Sequence, residues 1–368
     1  MAILNGESAT ERASIMSSTT PQSNQLTDAA IADQLLAALR QLSGDSNLDY
    51  TETPQRLTGG YETLTYGFQL SAESGELSGP LILRLFNNPG DTDQSRRESA
   101  FQNSLADLGY PVPRVVAQFD DGIANRPFNV MERIEGAPMM DETSLDPENI
   151  GRVIDWLATV HTRLHQIPSA PVIEAVEKAG FPLARFSLDG RLRYMQRYFE
   201  GDTFDALRPG FDWLIANRPA ERESPSVCHG DFHPGNIMVK DGEVTGVIDW
   251  PGAAFADPEF DVGSSVVLLK VGAAMIDPAA VPFAQQMVSM YLKRYNELSP
   301  LDMGKLDYYE ALRNFRAFIR GTALRTPGVD PELAPRDQYP WASEFATHAL
   351  QARLAEITRI NLPLPAGV

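Results

Sequence analysis

Residues 228–250 read CHGDFHPGNIMVKDGEVTGVIDW, and this span packs in His229, Asp231, His233, Asn236 and Asp249, five side chains able to bind a metal or handle a proton. Asp241-Gly242 lies between NIMVK and EVTGVIDW. Asp-Gly suits a two-residue type I′ turn, whose central positions both need positive φ. The stretch is therefore predicted to be a β-hairpin in which Lys240 faces Glu243, Val239 faces Val244 and Asn236 faces Val247. Asp249 would then share a face with Asn236 at a diagonal separation of roughly 7–8 Å, a gap that one oxygen-ligated cation can bridge. Three readings compete: a hydrolytic metal site, a phosphoryl-transfer site, or a plain hairpin with a polar approach.

Spacing upstream of the turn separates them. Asp231 precedes Asn236 by five positions, across Pro234 and Gly235. That is the D-x-x-x-x-N spacing of a kinase catalytic loop, in which Asp receives or orients the acceptor hydroxyl and Asn binds magnesium. Asp249, on the following strand, supplies the remaining ligand. Oxygen-only ligation suits Mg2+, which keeps several waters and relies on substrate phosphates for the rest. A metal-dependent hydrolase would have to use His229, Asp231 and His233, and with five histidines in the chain it is short of ligands.

Composition narrows the partners. The 368-residue chain carries 49 acidic and 31 basic residues, a formal net charge of -18. Such a surface repels phosphate backbones, which argues against nucleic acid. The only cysteine, Cys228, allows no intrachain disulfide and no cysteine-based zinc cluster, and it reads as a small buried residue. The first 25 residues lack the apolar run of a signal peptide, and VVLLKVGAAMI is too short to span a bilayer. A cytoplasmic protein without membrane contact is expected; oligomeric state is left open.

Texture along the chain divides it. Residues 1–25 read as a disordered tail, and Thr27-Asp28 as a helix start. QRLTGGYETLTYGFQL and PLILRLF read as three strands, SRRESAFQNSLADLG as a helix, and PVPRVVAQF and PFNVMERI as two further strands. The expected first lobe thus runs over residues 26–135. From 136 to 368 the pattern is mostly helical, with IGRVIDWLATVHTRLHQI strongly amphipathic up to Pro168. His161 and His165 stand at i, i+4 on that helix. No acid lies between them as in H-E-x-x-H, so packing is expected. His233 is expected to shape its loop, and Arg313, Arg316 and Arg320 to pair with the acid-rich surface, the alternative being contact with an anionic substrate.

HGDFHPGN followed by VIDW and then ADPEFD resembles the aminoglycoside phosphotransferase family, within the protein-kinase-like fold that also holds choline kinases. The likeness in organisation runs from about Leu57 to Gly321. It implies an α+β, two-lobed fold: a small, mainly antiparallel N-lobe over nucleotide and a larger helical C-lobe holding the catalytic loop and acceptor pocket. It further implies ATP- or GTP- and Mg2+-dependent transfer to a hydroxyl of a small molecule (aminoglycoside-, macrolide-, choline- or sugar-like). By resemblance Asp231 is the catalytic base, Asn236 and Asp249 hold Mg2+, His229 braces the loop, and Asp261 bonds its backbone. Gly59 and Gly60 would cover the phosphates. Arg84 stands where the family often has a phosphate-binding Lys, with Glu98 as its ion-pair partner. Met131 would lie near the gate to the adenine, with backbone groups of Glu132 to Ile134 around it. The alternatives are a catalytically weak nucleotide-binding module and the hydrolase.

Overall fold

The computed structural model describes residues 26–57, 63–142, 149–272, 275, 280–334 and 339–365. The expected tail, Gly59 and Gly60 lie outside the described residues.

Helix α1 (Asp28–Ser43) starts where Thr27 Oγ1 accepts from Ala30 N, and ends at Gly44 in the left-handed region. Its buried residues Ile31, Leu35 and Leu39 recur every four positions, giving one apolar stripe. That stripe packs on a sheet of β1 (Tyr50–Arg56), β2 (Thr63–Leu70), β3 (Pro80–Phe86), β4 (Val115–Ile123) and β5 (Arg126–Glu132). The strands are antiparallel in the order β1-β2-β3-β5-β4. Leu81, Leu83 and Leu85 of β3 are fully buried in the core beneath α1. The two-residue period of a strand sends Arg84 to the opposite face, where α2 (Thr92–Asp107) carries Glu98. Asn129, opposite Arg84 in register, points the same way and accepts from Ser95 of α2 at 2.7 Å. The sheet is therefore covered by α1 on an apolar face and by α2 on the opposite face, where Arg84 and Asn129 are buried.

Past β5 the chain joins a second body. β6 (Ala137–Pro138) pairs with β8 (Ile237–Lys240), which pairs with β9 (Glu243–Val247); β7 (Ser226–Cys228) pairs with β10 (Ala254–Ala256). Around them lie α3 (Met139–Glu142), α4 (Ile150–His165), α5 (Ser169–Lys178), α6 (Leu188–Gln196), α7 (Arg208–Ala216), α8 (Pro258–Val267), α9 (Val281–Leu298), α10 (Met303–Arg325) and α11 (Glu344–Thr358). This is the expected α+β architecture of a small antiparallel lobe and a larger helical one. Among the described residues no helix is long and apolar enough to cross a membrane.

The hairpin forms with Asp241 and Gly242 both at positive φ, as a type I′ turn requires. Its register departs from the expectation. Lys240 faces Glu243 and Val239 faces Val244, but Met238 faces Gly246 and Ile237 faces Val247. One extra residue, Thr245, bulges from β9, and its hydroxyl donates to Glu135 O at 2.6 Å. Asn236 is consequently opposite Ile248, whose amide donates to Asn236 O at 2.9 Å. The cue was Gly246, since a glycine inside a strand often marks a bulge.

Gly136 enters β6 at φ +103°, where an added Cβ would sit 2.2 Å from Val239 O. Gly136→Ala is expected to cost on the order of 2–3 kcal/mol, from the wrong-sided φ plus the clash. A lowered midpoint in chemical unfolding checks this, and an unchanged one would contradict it.

Candidate active site

The loop between β7 and β8 hangs from one buried carboxylate. Asp261, fully buried in the first turns of α8, accepts from His229 N at 2.5 Å and Gly230 N at 2.7 Å. His161 and His165 back it from α4, each with Nε2 about one hydrogen bond from Asp261 Oδ2, at 3.1 and 3.2 Å. Their Nδ1 atoms meet Tyr291 and Tyr295 hydroxyls of α9, both at 2.6 Å. Two i, i+4 pairs on facing helices thus hold one acid. The spacing of His161 and His165 predicted neighbours on one face; that their acid partner would come from position 261 left no local trace. Burial, with His165 alongside, pushes His161 down to about 4, so it stands neutral near pH 7. Burial alone would raise Asp261, but His161 and His165 hold it well below the usual carboxylate range. Gly230 itself has φ +78°, and a Cβ there would lie 2.2 Å from Gly252 O.

His229 ties the loop to the end of the hairpin. Its Nδ1 accepts from Asp231 N at 3.3 Å, so Nε2 carries the proton that goes to Ile248 O at 3.0 Å. His233 shapes the loop as expected: its Nδ1 accepts from Gly235 N at 3.1 Å, while Nε2 lies 3.8 Å from Asp231 Oδ2. Asn236 is buried, and its Nδ2 donates to Asp231 O at 3.0 Å. That bond fixes the amide and leaves its Oδ1 as an acceptor, as a hard cation requires. Cys228 is buried and its thiol is pushed well up by burial, which makes it inert.

Asp249 sits at φ +67°, a conformation costing a non-glycine residue about 1–3 kcal/mol. Its Oδ1 accepts from Arg84 Nη2 at 3.1 Å, and Arg84 Nη1 donates to Glu98 Oε2 at 2.9 Å. The guanidinium fork therefore bridges two carboxylates, one from each lobe, a geometry a lysine ammonium cannot reproduce. Glu98 is raised by burial, against the pull of Arg84. Arg97, next along α2, donates to Pro251 O at 3.0 Å and fastens the same junction. At the edge of the cleft the Glu132 amide is spent on Arg114 O. Ile134, packed against Gly246, makes no backbone hydrogen bond among the described residues.

A second expectation is corrected. Arg313 was expected to pair with surface acids; it donates instead to Asp231 Oδ1 at 3.3 Å, with its guanidinium 5.8 Å from the Trp341 ring centroid. Its signal, a basic stripe at helical spacing, was visible, but the identity of its partner was not.

Taken together, a five-stranded antiparallel lobe, a helical lobe and a D-x-x-x-x-N loop leading into a hairpin define a two-lobed, kinase-like fold. A model of the phosphotransferase enzyme family matches residues 53–301, and the chain belongs to that family. It is 30% identical over 214 residues to the aminoglycoside 3'-phosphotransferase of Streptomyces fradiae, covering 56% of this chain and 74% of that protein. It is 23% identical over 217 residues to acyl-CoA dehydrogenase family member 11 of Homo sapiens, covering 54% of this chain and only 27% of that protein's length. A homoserine kinase of Chelativorans sp. is 27% identical over 186 residues, which cover 47% of this chain and 52% of that kinase. Among solved structures, a thermostable mutant of aminoglycoside phosphotransferase APH(4)-Ia in ternary complex with AMP-PNP and hygromycin B superposes with a TM-score of 0.58. That match has 16% identity and covers 89% of this chain and 98% of the other. The GDP complex of aminoglycoside 2'-phosphotransferase-IIIa gives 0.56 at 18% identity, covering 88% and 99%.

The buried pair of His161 and Asp261 sets an acid limit. His161 is near 4 folded and about 6.5 unfolded, so the unfolded chain binds the extra proton between those values. Asp261, depressed when folded, adds to the loss once pH falls below its ordinary range. Stability is expected to decline by about 3 kcal/mol from pH 6.5 to 4 through His161 alone. Urea unfolding across that window checks this; His161→Gln should flatten the slope, and parallel profiles would refute the assignment.

Proposed function

We propose that this chain transfers the γ-phosphoryl group of ATP, or of GTP, to a hydroxyl of a small molecule. The observations that support the reading are the loop hung from Asp261, which holds Asn236 against Asp231, and the Glu98–Arg84–Asp249 chain that reaches the end of the same hairpin. In this reading residues 26–135 cover the nucleotide, and residues 136–368 hold the loop and the acceptor. A cytoplasmic setting, where such nucleotides are abundant, fits the reaction.

Asp231 orients the acceptor hydroxyl and takes its proton. A new bond forms between that oxygen and the γ-phosphorus as the bond to the β,γ-bridging oxygen breaks, and the nucleoside diphosphate leaves. Arg84 turns its fork toward the phosphates, and Glu98 keeps it there by a buried ion pair. The carbonyl of Glu132 and the backbone groups of Ile134, which make no backbone hydrogen bond among the described residues, would serve the base. Asn236 Oδ1 and the Asp249 carboxylate fit Mg2+, all-oxygen ligands with the Asn amide already oriented, and would hold it there. When bound, the ion supplies charge neutralisation for the phosphates. His229 and Asp261 fix the loop without touching substrate. The adenine- and guanine-nucleotide complexes of the neighbouring structures support the nucleotide half of the proposal.

Asp231→Asn is expected to keep Mg2+-nucleotide affinity within about twofold while acceptor-dependent ADP release falls about 10²–10⁴-fold, the usual loss for a general base. Full turnover in that variant, or no binding of either nucleotide to the native chain, would overturn the reading. Arg84→Lys keeps the charge but cannot bridge both acids. Its nucleotide KM should rise roughly tenfold, a loss near 1.4 kcal/mol; an unchanged KM would show that the fork is not used.

A further inference from the structure

Helix α10 places Arg313, Arg316 and Arg320 at i, i+3 and i+7, all partly buried on the side that Arg313 turns to Asp231. Their neighbours are aromatic and basic. The Arg320 guanidinium stands 5.1 Å from the Tyr339 ring centroid, and Arg313 lies over Trp341. Arg191, from α6, stands 4.2 Å from the Phe260 centroid with Nε on Phe186 O at 3.2 Å. Burial, followed by the like charges of Arg320, Arg313 and Arg191, pushes Arg316 down to about 9, with Tyr339 acting the other way. Among the described residues neither Arg316 nor Arg320 has a carboxylate in ion-pair contact, and Arg313 Nε is buried without a hydrogen bond.

This arrangement runs against the chain's own composition. With 49 acids for 31 bases, carboxylates to neutralise an arginine row were plentiful. Among the described residues the one acid that touches the row is Asp231, which the proposed reaction needs for the hydroxyl. Burying like charges together is costly unless an anion joins them. A polycationic acceptor would be repelled from this wall. On a helix rising 1.5 Å per residue, Arg316 and Arg320 lie about 5 and 10 Å from Arg313 along the axis. An anion there is one small-molecule length from Asp231.

We propose that the acceptor is a hydroxylated small anion, carrying a carboxylate or phosphate group that Arg313, Arg316 and Arg320 bind while Asp231 engages its hydroxyl. The inference rests on the phosphotransferase reading and specifies its substrate class. Arg313 has two roles in it: it pairs with Asp231 when the acceptor is absent, and it swings to the anion when the acceptor arrives. Arg316 and Arg320 are binding residues and take no part in the bond-making step.

The test is ADP release by the full chain with ATP and Mg2+ on matched acceptors: hydroxycarboxylates and their methyl esters, sugar phosphates and their parent sugars, and aminoglycosides. The anionic member of a pair should have a kcat/KM at least tenfold above its neutral partner, and the carboxylate and phosphate arms identify the group. Arg316→Gln and Arg320→Gln should raise KM for that anion at least tenfold with kcat changed less than threefold. Arg316→Lys should recover part of the loss. Equal rates within pairs, or a preference for aminoglycosides, would overturn the anion while leaving the transferase intact. Should nothing turn over, thermal stabilisation of the nucleotide-bound chain by the same anions decides it. A shift lost in Arg316→Gln supports the proposal, and no shift for any anion overturns it. Failure to bind nucleotide sinks the transferase reading instead.

Discussion

The Asp261 carboxylate is the constraint on which the candidate site depends. It accepts both backbone amides of the His229-Gly230 step, so the loop direction is set before Asp231 is reached. A fully buried anion would be expensive alone. Two amides, two histidines and, behind them, two tyrosines spread its charge across α4, α8 and α9. Removing one partner of such a group costs far more than the net value of any single bond, because the remainder is left unpaired in the interior. The loop geometry is thus coupled to packing of the helical lobe, and loosening α4 against α9 would be felt at Asp231.

A second constraint joins the lobes. The two-residue period of β3 brings Arg84 out beneath α2, beside Ile82 and Phe86 on that face, while Leu83 and Leu85 fill the core on the other. From there the fork reaches Glu98 in its own lobe and Asp249 in the other. The unfavourable φ at Asp249 is tolerated because the Trp250 that follows is fully buried, with its indole donating to Val247 O at 2.9 Å. Strain is held at the residue where a cation ligand is proposed, and its cost is met by packing one residue away.

The fold was legible because its signals are local and agree with each other. The Asp-Gly turn, the strand-helix-strand alternation of residues 50–132 and the amphipathic run 150–167 each need only near neighbours in sequence. That Asp231 and Asn236 would meet in one loop was legible for the same reason, since five positions fix their spacing. What stayed hidden depends on distant partners. The bulge at Thr245 is stabilised by Glu135, the two histidines by Asp261, and Arg313 by Asp231, across separations of about a hundred residues. A hydrophobic period says which face of a helix is buried. It carries no information on which acid from another element will meet a buried base.

Two acids of the proposed reaction, Asp231 and Asp249, are each held by an arginine from outside the catalytic loop, Arg313 and Arg84. Both pairs are partly open to solvent on the acid side, so each is worth about 1 kcal/mol or less. That weakness is what a transferase needs. In the proposed reaction an incoming phosphate would compete with Asp249 for Arg84, and an anionic acceptor with Asp231 for Arg313. Each exchange replaces one charge-assisted bond by another of similar strength, so substrate entry releases an acid at little net cost. On that proposal the acids would become available together only when both substrates are bound, which would tie the chemical competence of the cleft to its being full.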